Sequence, residues 1–149
     1  MVENLNRQRV LSLLDALYAG DIEAALARCS DDVELIAPAP IDVLPHMGHR
    51  RGKDAVRKMW QTVLSRYSSQ RHELRDIVAE GDKVAVSIRA FFTKRDNNRV
   101  VQFDMAVFYT LRDGRITHMR EILDSFDLVQ QVLECDLVAL LASKPPNEA

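Results

Sequence analysis

The sequence predicts an α+β fold: helices first, then a curved antiparallel sheet wrapped around them as a conical barrel. Three observations carry this expectation. Apolar residues recur at helical spacing through most of the first 67 residues. From residue 71 onward they follow period two. Two apolar-rich runs then meet at Arg112-Asp113-Gly114-Arg115, and Asp-Gly between such runs is the strongest hairpin signal in the chain. Helices bury an apolar stripe against a sheet face, and a strongly curved sheet leaves a cavity between the two layers.

The elements follow in order. Asn4 or Asn6 is expected to cap the first helix. Val10, Leu11, Leu13, Leu14, Leu17 and Tyr18 give that helix a wide apolar face. Gly20 ends it, and Asp21 caps a second helix over 22–29. Ser30-Asp31-Asp32 reads as a turn. Val33, Leu35 and Ala37 then alternate with Glu34 and Ile36 in a short strand, which Pro38 and Pro40 end or confine to an edge. Residues 38–52 read as one long irregular connection, either the rim of a site or a solvated crossover. Gly52-Lys53-Asp54 opens a third helix over 55–67, whose core face is Val56, Met59, Trp60, Val63, Leu64 and Tyr67.

Strands are predicted over 71–80, 83–93 and 99–111, followed by the closing strand after Gly114. Their connections are short, which implies an antiparallel meander. Phe126, Val129, Val132, Leu133, Leu137, Leu140 and Leu141 predict a C-terminal helix over 126–142, broken near Cys135-Asp136. Residues 143–149 are expected to fray. One domain spans 1–149.

Composition narrows the functional classes. A net charge of −2 supplies no basic footprint, so nucleic acid is not an expected partner. No apolar run approaches the roughly 18–20 residues of a membrane span. The opening MVENLNRQRV lacks the apolar core of a signal peptide, and a cytoplasmic location is expected. Cys29 and Cys135 show no CxxC spacing and read as free thiols acting as small apolar residues. His46, His49, His72 and His118 form no metal-binding pattern, so neither metal nor cofactor is expected.

Three segments resemble the SnoaL-like branch of the nuclear-transport-factor-like superfamily, which also holds ketosteroid isomerases and limonene-epoxide hydrolases. They are LYAGDIEAALARCSDDVEL, GHRRGKDAVRKMWQTVL and VFYTLRDGRITHMREILDSFDL. The resemblance implies a cone whose open end takes a small, mostly apolar molecule, and homodimers formed through the outer sheet face. Ile88, Ala90 and Phe92 are expected to supply that outer face. The chain departs from the enzymatic patterns at Ala37 and Val107, where ketosteroid isomerases place acids, and at Phe91, where epoxide hydrolases do.

Alternation on the closing strand puts Thr117, Met119, Glu121 and Leu123 on one face and His118, Arg120, Ile122 and Asp124 on the other. Phe103, Met105, Val107 and Tyr109 are expected to face the same way from the strand before, and Arg89 and Phe91 from the strand before that. With Leu14, Leu17, Tyr18, Trp60 and His46, they form the expected substrate pocket: an apolar wall with few polar groups. Glu121 is the expected general acid or base, since an apolar cavity raises a carboxyl toward neutrality. Arg89 is expected to pair with it and orient it. Tyr18 is placed to donate a hydrogen bond to a carbonyl or enolate. His46 or His49 is placed to reach over the mouth as an acid or base. These residues imply either a cofactor-free isomerase, cyclase or hydratase acting on a small apolar carbonyl compound, or a ligand-binding or dimeric interaction module of the same fold.

Overall fold

The computed structural model describes residues 1–143. The frayed tail expected over 143–149 lies, Ser143 apart, outside them. In chain order the elements are α1 (Val2–Tyr18), α2 (Ile22–Leu26), β1 (Cys29–Ala37), β2 (Gly48–Arg51), α3 (Lys53–Arg66), β3 (Tyr67–Glu80), β4 (Lys83–Lys94), β5 (Val100–Arg112), β6 (Arg115–Leu123), α4 (Ser125–Leu133) and α5 (Leu137–Ala142). The six strands form one curved, unclosed sheet in the order β2-β1-β6-β5-β4-β3. Helices α1 and α3 pack on its inner face, and α4 packs against β5. This is the α+β cone read from the sequence. Among the described residues, no helix is long and apolar enough to cross a membrane.

Several expectations need correction. The sheet is mixed rather than antiparallel, because β1 lies parallel to β6. The meander of β3 to β6 is antiparallel throughout. Residues 48–51 are not irregular: they pair with 34–37 as an edge strand. Ser30-Asp31-Asp32 belongs to β1, whose pairing with β6 shifts register between Cys29 and Glu34. Neither Asn4 nor Asn6 caps α1, which starts at Val2. Asn6 is buried instead, donating to the Gly81 carbonyl at 3.2 Å and accepting from Arg9 at 3.1 Å. The break in the C-terminal helix falls where expected. Glu134 turns left-handed at φ +54°, and the Asp136 side chain caps α5 by accepting from the Ala139 amide at 2.9 Å.

The β5–β6 turn carries two consecutive positive φ values, +52° at Asp113 and +77° at Gly114. That matches the right-handed twist of the flanking strands and explains the Asp-Gly pair. A Cβ at Gly114 would lie 2.8 Å from Arg9 Cζ. Gly114→Ala is therefore expected to lower unfolding free energy by about 1–2 kcal/mol in a urea titration. An unchanged midpoint would show that neither the turn nor Arg9 constrains this position.

Register decides which side chains face the cavity. Val84, Val86, Ile88 and Ala90 pair with Tyr109, Val107, Met105 and Phe103. Cross-strand partners share a face, so these four point inward with the β5 set. Arg89 pairs with Asp104 and Phe91 with Gln102, and both point outward. The expectation that Arg89 and Phe91 line the pocket is thus wrong by one residue, and a one-residue slip reverses a whole strand. The expected outer face fails for the same reason: Ile88 and Ala90 are fully buried. The outer face instead exposes Phe108, Ile122 and Val78.

Candidate functional site

A cavity of about 110 Å³ lies between the helices and the inner face of the sheet. Leu14, Leu17 and Tyr18 reach it from α1, and Trp60 from α3. Phe103, Met105, Val107 and Tyr109 line it from β5, and Met119, Glu121 and Leu123 from β6. His46 enters from the segment before β2. The structure thus brings together every pocket residue read from the sequence except Arg89 and Phe91. It leaves His49 outside as well, bonded to Glu34 at 3.1 Å. His118 is exposed, as its parity implies, and its Nδ1 lies 2.9 Å from Thr117 Oγ1.

Other lining residues were missed. Leu128 and Val132 line the cavity from α4, one turn apart. Their i, i+4 spacing in an amphipathic segment was the available signal. Phe92 takes the place assigned to Phe91, and Gln70 enters from β3. Gln70 is anchored by donating to the Leu17 carbonyl at 2.9 Å. Tyr18 is fixed by rings on two sides. His72 lies 4.3 Å from it between centroids and Phe92 lies 6.0 Å away. Phe92 in turn stacks on Phe103 at 5.6 Å.

β6 places Glu121 directly. A register shift between Thr110 and Leu111 lets Ile116 and Thr117 both turn inward. Beyond it the alternation resumes, with Met119, Glu121 and Leu123 on the cavity side. Arg89 does not neutralise Glu121. Its guanidinium forms a two-pronged contact with Asp104 on the outer face, at 2.8 and 3.3 Å. Among the described residues, the Glu121 carboxyl has no ion-pair partner. Burial alone pushes it up to about 7.

Two phenols share this environment. Tyr109 pairs with Met119 while Val107 pairs with Glu121, so Tyr109 and Glu121 are diagonal neighbours on one face. Burial, then the Glu121 charge, raises the Tyr109 hydroxyl well above the ordinary phenol range, and Tyr18 is raised by the same causes. Both therefore remain protonated donors at neutral pH. Burial, then the nearby charges of Arg66 and Arg50, lowers His46 to about 4, so its imidazole is neutral. The cavity holds a carboxyl poised near neutrality, two hydrogen-bond donors that resist ionisation, and a neutral imidazole. Such a set can accept a proton and bind a developing oxyanion. Among the described residues, no cluster of His, Cys, Asp and Glu is arranged to hold a metal.

This architecture, a curved sheet over helices with an acid in an apolar interior, defines an α+β cone of the nuclear-transport-factor-like class. Residues 10–119 match the model of the SnoaL-like domain, and the chain belongs to that family. No curated protein matches the chain. Solved structures do. A Rhodopseudomonas palustris protein provisionally called an isomerase is similar at 29% identity and TM-score 0.78, over 90% of this chain and 99% of that one. An NTF2-like protein of unknown function from Burkholderia pseudomallei is similar at 19% identity and TM-score 0.79, over 86% of this chain and 97% of that one. IdmH of Streptomyces antibioticus, provisionally called a polyketide cyclase, is similar at 21% identity and TM-score 0.72, over 85% and 97%.

Proposed function

We propose that this protein is a cofactor-free enzyme that moves a proton on a small, apolar carbonyl compound, as an isomerisation, cyclisation or hydration requires. The observation that carries this reading is Glu121: a carboxyl raised to about 7 by burial, without a counter-charge, on the wall of an apolar cavity. As the carboxylate, Glu121 removes a proton from the carbon beside the carbonyl. The electron pair of the broken C–H bond moves onto the carbonyl oxygen. Negative charge passes from one oxygen to another inside the same cavity, so no additional charge is buried. Tyr18 and Tyr109 donate hydrogen bonds to that oxygen, in the manner of an oxyanion hole. The protonated Glu121 then returns the proton at another carbon.

The test is solvent exchange. A panel of small cyclic and aryl ketones is incubated with the protein in D₂O and followed by proton NMR. Enzyme-dependent loss of α-hydrogen signal is expected for at least one member, and Glu121→Gln is expected to abolish it. Exchange that survives in the variant would remove Glu121 from the chemistry. A non-catalytic ligand-binding module of the same fold is the second reading, favoured by the placement of Arg89 on the far side of the sheet. Tight binding of a ketone without exchange would support it.

The outer sheet face is proposed as the seat of a homodimer. Phe108, 46% exposed, lies on it beside Arg120, whose guanidinium is 5.5 Å above the ring. Ile122 and Val78 extend the apolar surface. Light scattering is expected to give twice the 16.9 kDa chain mass, and Phe108→Glu to give the monomer. A wild-type monomer at high concentration would refute this.

A further inference from the structure

Three arginines that hold no carboxylate among the described residues stand beside residues lining the cavity. Arg50 donates to the Pro45 and Met47 carbonyls at 2.7 and 3.2 Å. Those two carbonyls bracket His46, so the Arg50 guanidinium lies beside a cavity-lining imidazole. Its Nε is buried and has no partner among the described residues. Arg66 ends α3, next to Tyr67, which lines the cavity. Arg95 donates to the Leu64 and Tyr67 carbonyls at 3.1 and 3.0 Å, and both residues line the cavity. Among the described residues none of these three arginines forms an ion pair, a property they share with Arg7, Arg9, Arg28, Arg112, Arg115 and Arg120. Burial first, and then the charges of Arg66 and Arg50, keep His46 neutral.

The interior has the opposite character. It is apolar, and its one carboxyl repels an anion whenever it is ionised. At about 110 Å³ the cavity is smaller than the roughly 150 Å³ that takes benzene, so it encloses only part of a ring-bearing molecule. The remainder of a larger molecule lies at the mouth.

We propose that the molecule bound here is an apolar acid, with its ring beside Glu121 and its carboxylate at the mouth against Arg50 and Arg66. This rests on the small-molecule pocket described above and adds the substrate class. The anion stays outside the apolar wall, where Arg66 is open to solvent, and the buried Arg50 Nε is a donor without a partner among the described residues. The neutral His46 imidazole lines the cavity, and Arg50 bonds to the carbonyls on either side of it.

The probes are 3-phenylpropanoate and its neutral amide, 3-phenylpropanamide. Trp60 is the one tryptophan of the chain and lines the cavity, so its fluorescence reads occupancy. At low ionic strength the carboxylate is expected to bind about tenfold or more tighter than the amide. Arg66→Gln is expected to bring the two close to parity with the amide affinity unchanged, and Arg66→Lys to keep the preference. Equal binding of the two probes, or a preference that survives Arg66→Gln, would overturn the acid assignment while leaving the pocket occupied. Failure of both probes to alter Trp60 emission would overturn it together with the pocket. Ketone exchange in D₂O reports on Glu121 independently of either result.

Discussion

Glu121→Gln is expected to lower the rate of α-hydrogen exchange by about 10²- to 10⁴-fold, the usual contribution of a positioned acid or base. The substitution keeps the shape of the side chain and removes the titrating proton. It also has a stability signature that a solvated carboxyl would not produce. The folded carboxyl titrates near 7 against 4.5 for an unburied one. Between those values the native state binds more protons than the unfolded state, so stability falls as pH rises through this window. Above pH 7 the native protein carries the full cost of a buried carboxylate, about 3 kcal/mol at most. His46 runs the other way. Its folded value, near 4, lies below the ordinary 6.5, so stability rises with pH between those limits. The two slopes oppose each other in the wild type. The variant loses only the Glu121 slope. Glu121→Gln should therefore melt at a higher temperature than wild type at pH 8 and at nearly the same temperature at pH 4. Equal melting temperatures at both pH values would show that Glu121 is solvated like a surface acid, and the case for a tuned base would fail with it.

What could be read from the chain, and what could not, has a common physical origin. Local signals held at the hairpin and at the C-terminal helix break, and failed at the Asn4 or Asn6 cap and the 30–32 turn. Asp113-Gly114 fixed the turn, and through it the register that sets Tyr109 beside Met119 and Glu121 opposite Val107. The Cys135-Asp136 break is visible because aspartate caps helices. The family resemblance supplied the cone. Arg89 shows where local reading stops. Arg89 and Phe91 alternate with Ile88, Ala90 and Phe92, and both sets include a large apolar side chain. The pattern therefore does not reveal which face is inside, and only pairing with Asp104 decides it. β2 was missed because Gly48-His49-Arg50-Arg51 has no apolar alternation to bury. It lies at the sheet edge and is held by its ladder to β1. The parallel contact between β1 and β6 joins segments far apart in sequence, and no turn announces it.

α4 covers one side of the cavity, and a single buried lysine fastens it there. Lys94 is 8% exposed and donates from Nζ to the Val132 carbonyl at 2.7 Å and to Glu134 at 3.1 Å. Glu134 also faces Arg99 at 3.6 Å, and hydrogen bonds from Asn97 and Lys94 hold its carboxyl below the ordinary range. A second clasp joins Gln131 to the Gln102 backbone in both directions, at 2.8 and 2.7 Å. The Lys94 contact closes the carboxyl end of α4, where free carbonyls favour a cation. Lys94→Met retains most of the buried stem and removes the charge, leaving the Val132 carbonyl without its donor. The loss of a charge-assisted hydrogen bond predicts about ten- to hundredfold faster hydrogen exchange for the α4 amides, with the β5 and β6 amides unchanged. Leu128 and Val132 line the cavity from this helix, so its release should also make Trp60 more accessible to acrylamide quenching. Protection in α4 that survives Lys94→Met would show that the Gln131 clasp and the burial of Leu128 and Val129 hold the helix without the lysine. Faster exchange spread evenly over the sheet would show that Lys94 supports the whole fold rather than this wall of the cavity.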